Sequence, residues 1–546
     1  MFNKQVKVMK RFPLRFVVLI TVFWGLSIIS LSQTPVTIDG ITYEIDINNE
    51  ASVFEVNLTG TVTFPAQIEY EGRKYDVTSI CGNGFINNEG ITKIILPKTI
   101  KRILGHMSFI NCPNIEEFVI EDGDTDLEIM PSICNTKKLY IGRNVVSNGA
   151  VDSEKYSGAF GTKLTNISFS PNITVIPGYL FLGCTEIEEL SLPDNLIIIG
   201  ECAFGGCKKL KDLILPDKLR IIGGNAFAGC NSITSVSIPS SVEELGSNIF
   251  TNDINLTDVC IEDGSSLLKK WRNEPYTFPV FNGLNLKSLY IGRDIDSNCF
   301  FVNCSIEKLL VSKMVNKLDP IFKNCQYISN ITIEDSNKPL VISSQFIPDR
   351  GLSTLYLGRD INAMYNSSVF GVDIKELEIG PNVIEIYGGL FKDCIELNEV
   401  IIPEGVRIIG DKSFYGCSSL EQITLASSIT KMGSECFDGC ERLKKIISYI
   451  VNPSHHYNYL STNFTNCTYE NVPIYIPVNS TPYYDASNWD FKNIYEMEST
   501  DIIINVSIAD EPLKYYSING QQLASPSKGI NIIKMSDGTS KKIIVK

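Results

Sequence analysis

The sequence predicts a mainly β fold: a solenoid of short stacked strands, with β caps at its ends and a small β unit after it. Two observations carry this. A Phe-x-x-Cys pair returns at a step of 23 residues, at Phe181/Cys184, Phe204/Cys207 and Phe227/Cys230, and again at Phe391/Cys394, Phe414/Cys417 and Phe437/Cys440. Other landmarks keep phase with it: an apolar strand ending at Pro193, Pro216, Pro239 or Pro403, then a glycine at Gly200, Gly223 or Gly410. A period between about 20 and 50 residues marks a stacked array, because one unit cannot bury its apolar face alone.

Composition agrees with a folded chain, 44% apolar and 10% aromatic over 546 residues. The formal charge is −14, and residues 1–32 hold five basic side chains (Lys4, Lys7, Lys10, Arg11, Arg15) and no acids, so the remainder carries −19. So acidic a body argues against nucleic acid or an anionic membrane as the main partner. Residues 1–32 read as an export signal: basic to Arg15, apolar from Phe16 to Leu31, with small Ser30 and Ser32 before the cut. That apolar run is shorter than the ~20 residues of a spanning helix, and no other follows. The mature chain is therefore expected to be secreted or on the cell surface, without a membrane span.

Residues 33–80 read as an N-terminal β cap. Ile38-Asp-Gly-Ile-Thr-Tyr-Glu-Ile and Thr61-Val-Thr-Phe alternate, and Glu71-Gly72 is a turn signal, suggesting hairpin strands. A cap covers the strand edge and core that a first coil leaves open. The repeats occupy 81–447. Their Phe anchors start at Phe85, mostly in steps of 20 to 24 residues, and the gaps 109–160 and 322–370 each leave room for a degenerate coil. That gives roughly seventeen coils, on the order of 80 Å of strands stacked ~4.8 Å apart. A second pattern overlies the first: Ile120-Glu-Asp, Ile261-Glu-Asp and Ile333-Glu-Asp precede Leu-Tyr-[Ile/Leu]-Gly-Arg at Leu139, Leu289 and Leu355. The middle is thus irregular, and only the flanks keep the strict step. Residues 448–499, with Pro453, Pro473, Pro477, Pro482, Tyr483, Tyr484, Trp489 and Phe491, read as a closing cap. Residues 500–546 hold short alternating stretches, 502–506 and 541–545, around turns at Asn519-Gly520 and Asp537-Gly538. This is a separate β unit too short for much of a core.

Within a coil, Leu213 and Leu215 are expected to point inward and Ile214 outward, and Pro216 ends the ladder for want of an N–H. Ile221 and Ile222 cross a second face, Gly223 permits a bend, and Phe227 re-enters the core, where its burial is worth ~2–3 kcal/mol. Ten of the sixteen cysteines stand three residues after a Phe: Cys112, Cys184, Cys207, Cys230, Cys304, Cys325, Cys394, Cys417, Cys440 and Cys467. An exported chain could use them in disulfides or metal sites. Stacked equivalent positions form a line, however, which neither converges on a metal nor brings Cβ atoms to the ~3.8 Å of a disulfide. A ladder of buried free thiols is predicted instead. Asp253 and Asp373 take the same slot, so it suits a small side chain that bonds to loop backbone.

Tyr140, Tyr290 and Tyr356 fall at the outward strand position if Leu139-Tyr-Ile-Gly aligns with Leu213-Ile-Leu-Pro, and Arg143, Arg293 and Arg359 follow at the strand end. Exposed Tyr beside Arg is common in contact surfaces. Alternatively, each Tyr covers apolar strand surface of a neighbouring coil while its Arg pairs with an acid, and this second reading is favoured. Asp122-Gly-Asp124-Thr-Asp126 resembles a calcium loop, but Leu127 and Ile133 stand where an EF-hand needs Gly and Glu, so a turn is expected. The histidines are His106, His455 and His456, read as non-ligands. No nucleophile elbow, zinc-protease or phosphate-loop motif is present. No catalytic residue, cofactor or metal is predicted.

The unit from Leu210 to Cys230, Leu-x-x-Leu-x-Leu-Pro…Ile-Gly…Ala-Phe-x-Gly-Cys in outline, resembles the BspA-like (Treponema pallidum type) leucine-rich repeats over roughly 81–467. The resemblance implies a curved right-handed leucine-rich-repeat solenoid with short parallel strands on its concave face. It also implies bacterial surface proteins, some of them adhesins, without shared catalytic residues. The Leu-Tyr-Ile-Gly-Arg coils look like versions found in Bacteroidales. The tail, with Tyr516-Ser-Ile-Asn-Gly, Lys528-Gly529 and Lys541-Lys-Ile-Ile-Val-Lys, is similar to type IX secretion sorting domains, though shorter.

The expected function is non-enzymatic recognition of a host or bacterial surface protein or a glycan on the concave face, by a monomer. The candidate contacts are Tyr140, Tyr290, Tyr356, Glu189, Asp212, Ser235, Glu399 and Gln422. The alternative is a structural spacer without a specific ligand.

Overall fold

A computed structural model provides the fold. The structure describes residues 35–497, apart from 86–87, 105–108, 110–111, 130–133, 148–157, 272–277, 297–299, 319, 343–350, 364–368, 454–462, 486 and 488, together with four strands between 512 and 545. The export segment, the three histidines, the stretch 502–506 and the two expected tail turns lie outside the described residues.

The chain winds as a parallel β-solenoid of about 17 turns. Each coil sends a strand to a principal face, where neighbours run parallel because every coil repeats the same path. One ladder on this face joins Gly60–Thr63, Ile91–Leu96, Glu117–Ile120, Lys138–Ile141 and Asn166–Phe169. A second, of seven strands, runs from Ser235–Ile238 to Glu376–Ile379, and a third from Glu399–Ile401 to Ile494–Glu496. Between the first two, the coils around Leu190 and Leu213 keep only the bridges Glu189↔Asp212 and Leu213↔Val236, so the strand expected at 213–215 is reduced to a bridge. The long gaps do contain strands, Lys138–Ile141 and Thr354–Leu357. A second face is made of very short strands such as Ile198–Ile199, Ile221–Ile222 and Glu244–Leu245, again in parallel register.

Burial follows the alternation. Leu213 and Leu215 are buried while Ile214 is 78% exposed. The phenylalanines stack in a column from Phe160 to Phe322 and from Phe370 to Phe464, with ring centroids 5.2 Å apart at Phe181/Phe204 and 5.5 Å at Phe204/Phe227, the latter pair nearly parallel. Beside this column the thiols form a second one. Cys207 donates to the Phe181 carbonyl (3.5 Å), Cys230 to Phe204 (3.2 Å), Cys417 to Phe391 (3.3 Å) and Cys440 to Phe414 (3.5 Å). The ladder cysteines are free thiols, buried except at Cys467, which is exposed on the helix Asn466–Asn471. The glycine after Ile222 has a different reason from the bend assigned to it: a Cβ on Gly223 would lie 2.5 Å from the Glu201 nitrogen, so close coil stacking excludes any side chain.

At the N-terminus, Val36–Ile38, Ile41–Ile45 and Glu50–Val56 pair antiparallel in sequence, and Gln67–Tyr70 forms a hairpin with Arg73–Gly84. Glu71 and Gly72, both at positive φ, make its turn. Thr61-Val-Thr is not part of a hairpin, because Gly60–Thr63 pairs in parallel with Ile91–Leu96. The stacked ladder therefore reaches back ahead of residue 81. At the other end Ile474–Ile476 and Ile494–Glu496 continue the principal face, and Trp489 and Phe491 close edge-on over the last column ring, Phe464. In the tail, Gln522–Leu523, Pro512–Ser517, Gly529–Met535 and Ser540–Val545 form an antiparallel sheet in that order.

Candidate interaction face

The outward side chains of the principal face fall into two rows set by strand register. In the first row Glu189 stands beside Asp212, Ser235 pairs with Asp258, and Glu399 pairs with Gln422, which pairs with Lys445. Glu189, Asp212, Ser235 and Glu399 are exposed, and Gln422 is half-buried, its amide donating to Glu399 at 2.6 Å. The second row holds Ile214, then Ser237, Cys260, Tyr290, Leu310, Thr332, Tyr356 and Glu378. Tyr140 lies in it too, between Val119 and Ser168. Ile401, at 55% exposure, presents a further aliphatic side chain to solvent next to Glu399.

The three tyrosines stand at the predicted outward position but do not serve as a free surface. Each hydroxyl donates to the aspartate of the preceding coil's Ile-Glu-Asp: Tyr140 to Asp122 at 3.0 Å, Tyr290 to Asp263 at 2.6 Å, and Tyr356 to Asp335 at 3.0 Å. Tyr290 is buried, so it cannot be a contact residue in this fold, while Tyr140 and Tyr356 are half-buried. Burial first, and then the Asp263 bond, raise the Tyr290 phenol well above its ordinary range. Burial likewise raises the Asp335 carboxyl, and the Tyr356 bond partly offsets it.

The arginines turn inward. Arg143, Arg293 and Arg359 are at most 1% exposed, and their guanidinium groups donate to main-chain carbonyls two coils earlier. Arg143 reaches Lys98 (2.6 Å), Ile100 (2.7 Å) and Pro97 (3.1 Å). Arg293 reaches Ser240 (2.6 Å) and Pro239 (2.9 Å), and Arg359 reaches Val315 (2.8 Å) and Ser312 (2.9 Å). These carbonyls belong to the turns that follow principal-face strands, so the planar fork satisfies acceptors that the ladder leaves open. The expected arginine–acid pairs are thus replaced by arginine–carbonyl clips, because the side chain spans the intervening coil rather than stopping at it. Burial pulls all three guanidinium groups down, Arg359 to about 10.

The intervening coil is shaped for this passage. A Cβ on Gly123 would sit 3.2 Å from Arg143 Cδ, and one on Gly264 would sit 3.2 Å from Arg293 Cδ. The glycine before each arginine packs on the Ile-Glu-Asp backbone: a Cβ on Gly142 or Gly292 would lie 2.4 Å from the amide of Asp122 or Asp263. The longer pattern is therefore one tie across three coils. The Asp122 loop is a tyrosine acceptor, and among the described residues no group of three or more His, Cys, Asp or Glu could hold a metal ion. No described helix is long and apolar enough to cross a membrane.

The acidic and polar first row remains open on this face, with Ile214, Ile401, Thr332 and Glu378 exposed in the second row. The carbonyl targets of the arginines were missed from sequence. The glycine directly after the Ile-Glu-Asp aspartate, Gly123 after Asp122 and Gly264 after Asp263, was the available signal that something long passes there.

Comparison with known proteins gives a consistent grouping. The family profile of the BspA type leucine rich repeat region (6 copies) matches residues 61–145, 155–272, 278–370 and 362–490. The chain is similar to a solved leucine-rich repeat protein from Bacteroides ovatus, with 22% identity, 85% of this chain and 100% of that one covered, and a TM-score of 0.36. It is similar to a leucine rich cell surface protein from Faecalibacterium prausnitzii, with 21% identity, 76% and 95% covered, and a TM-score of 0.30. For the T. pallidum leucine rich repeat protein the values are 20%, 42% and 82%, and 0.23. No curated protein matches the chain.

Proposed function

This chain belongs to the BspA-type leucine-rich repeat family, and from that premise we propose that it is an exported, surface-displayed recognition protein. It has no enzymatic role in this reading and binds a protein or glycan along the outer row of its principal face. Family membership supports a non-enzymatic protein-interaction role. The observation that carries the finer reading is the first row itself. Glu189, Asp212 and Ser235 stand on successive coils, exposed, beside an isoleucine that is 78% exposed. A large exposed aliphatic side chain in a polar rim suits a contact surface.

Residues 1–32 are the export signal in this proposal, 33–80 and 448–499 the caps of the 81–447 array, and 500–546 a sorting tail. The test uses the full mature chain on a glycan array and against host and bacterial surface extracts, beside a variant carrying Asp212→Lys and Ile214→Asp. The proposal expects a hit that the variant loses at an unchanged thermal midpoint. A hit retained by the variant moves the site elsewhere. Silence in both assays supports the spacer reading, which the inward-turned Arg143, Arg293 and Arg359 of the irregular coils favour.

A further inference from the structure

The thiol slot needs a donor, and one coil fills it with a carboxyl. Along the ladder most thiols donate to the carbonyl of the preceding coil's phenylalanine, as Cys207 does to Phe181, Cys230 to Phe204 and Cys304 to Phe281, while Cys184 and Cys394 donate one residue further on, to Gly161 and Gly371. Asp253 occupies that slot above Phe227. It is 1% exposed, and both of its carboxyl oxygens are buried without a hydrogen-bond partner. The nearby amides of Cys230 and Gly229 are already committed, to the carbonyls of Phe227 (3.2 Å) and Thr251 (2.9 Å). Three other buried oxygens of the same two coils, Asn231 Oδ1, Asn248 Oδ1 and Thr251 Oγ1, also lack partners.

Asp373 holds the same slot differently. It is half-buried, and its carboxylate accepts from the Gly351 amide at 3.0 Å, whereas the oxygens of fully buried Asp253 have no partner at that distance. The difference coincides with the array's loss of period, since Phe250 to Phe281 is a step of 31 rather than 23. The groups facing Asp253 are the thiol Cys230 and the backbone of Gly229 and Cys230 from the coil before, and the buried, apolar Leu284 at the equivalent position of the coil after. No charged side chain among the described residues acts on it.

We propose that Asp253 is a proton-operated latch: as the neutral acid it donates to the Phe227 carbonyl in place of the thiol and seats its coil at this junction, and on ionising it loosens that coil. The physical cause is desolvation, which penalises a buried carboxylate whose oxygens have no close hydrogen-bond partner. Burial pushes the carboxyl up to about 7 from an ordinary 3.8, against the smaller opposing pull of the Cys230 and Gly229 amides. Because the folded value is the higher one, the closed coil binds a proton that the open coil gives up. Seating is complete at acidic pH and is lost as pH rises between the two values. The junction between the regular flank and the irregular middle thus yields near neutral pH.

The test is hydrogen exchange of the full chain from pH 4 to 9, corrected for intrinsic exchange, followed at segments spanning Phe250 and Leu284. Release of one proton per opening predicts that protection falls about tenfold per pH unit between roughly 4 and 7 and then levels off. Asp253→Cys restores the thiol and Asp253→Asn supplies an amide donor, so both should abolish the slope and raise protection at pH 8. Should the cysteine variant misfold, the asparagine variant decides. A slope that persists in the variants, or none in the wild type, overturns the proposal. Calcium chloride restoring protection at pH 8 also overturns it, since the slot would then hold a cation rather than a proton.

Discussion

Two regions of one solenoid are held together by different means. In the regular flank, around Phe181–Phe250 and Phe391–Phe437, equivalent residues stack on equivalent residues. Phe rings form a column, thiols bond carbonyls, and ion pairs such as Lys211–Glu188 join residues 23 apart at the surface. In the irregular middle the rings and thiols still stack, as at Phe281/Phe301 and Cys304, but the step varies and long-range side chains are added: Tyr290 to Asp263, and Arg293 to carbonyls 53 and 54 residues back. A strict period lets each coil template the next, so nearest-neighbour packing suffices. Where coil length varies, specific ties spanning three coils restore the alignment.

Breaking the regular flank at its column should have the largest effect. Phe227→Ala is expected to cost about 3–5 kcal/mol, because the cavity opens onto both neighbouring rings. Denaturant unfolding measures this, and a loss limited to ~1 kcal/mol would mean that the column is not the core. In the middle, Arg293→Lys keeps the charge but loses the fork that spans two carbonyls, at a cost on the order of 2 kcal/mol. Calorimetry that finds lysine equivalent to arginine would rule out the clip. Tyr290→Phe deletes one hydroxyl bond to a carboxylate, about 1.5–3 kcal/mol for a buried pair, and the same change at half-buried Tyr140 should cost less. An equal cost at the two sites would show that burial does not govern the tie. Lys211→Ala should leave the thermal midpoint unchanged, since exposed ion pairs contribute little. A clear drop there would place real stability in the surface ladder.

These regions were unevenly legible in the sequence for a physical reason. The column and the thiol ladder repeat at fixed spacing, so Phe204, Phe227, Cys207 and Cys230 announce their own neighbours. Ile214 could be placed outward by alternation alone, and the bridge Leu213↔Val236 sets it beside Ser237. The arginine clips were not readable, because their acceptors are backbone carbonyls, which leave no residue signature, 43 to 46 positions away for Arg143. Tyr290 shows the same limit. Its outward position was visible, but its burial depends on how Cys260 and Leu310 flank it across three coils. Thr61-Val-Thr alternates like a hairpin strand, and only its partner, Ile91–Leu96, reveals that it opens the parallel ladder.

The Tyr and Arg of the irregular coils, on this view, tie the scaffold together and leave recognition to the outer row. Native-state hydrogen exchange of Arg293→Lys tests that claim most directly. Protection is predicted to fall at the turn after Ser235–Ile238, two coils away, together with the strand Asn285–Ile291. Loss confined to the substituted coil, or no loss at all, would contradict it.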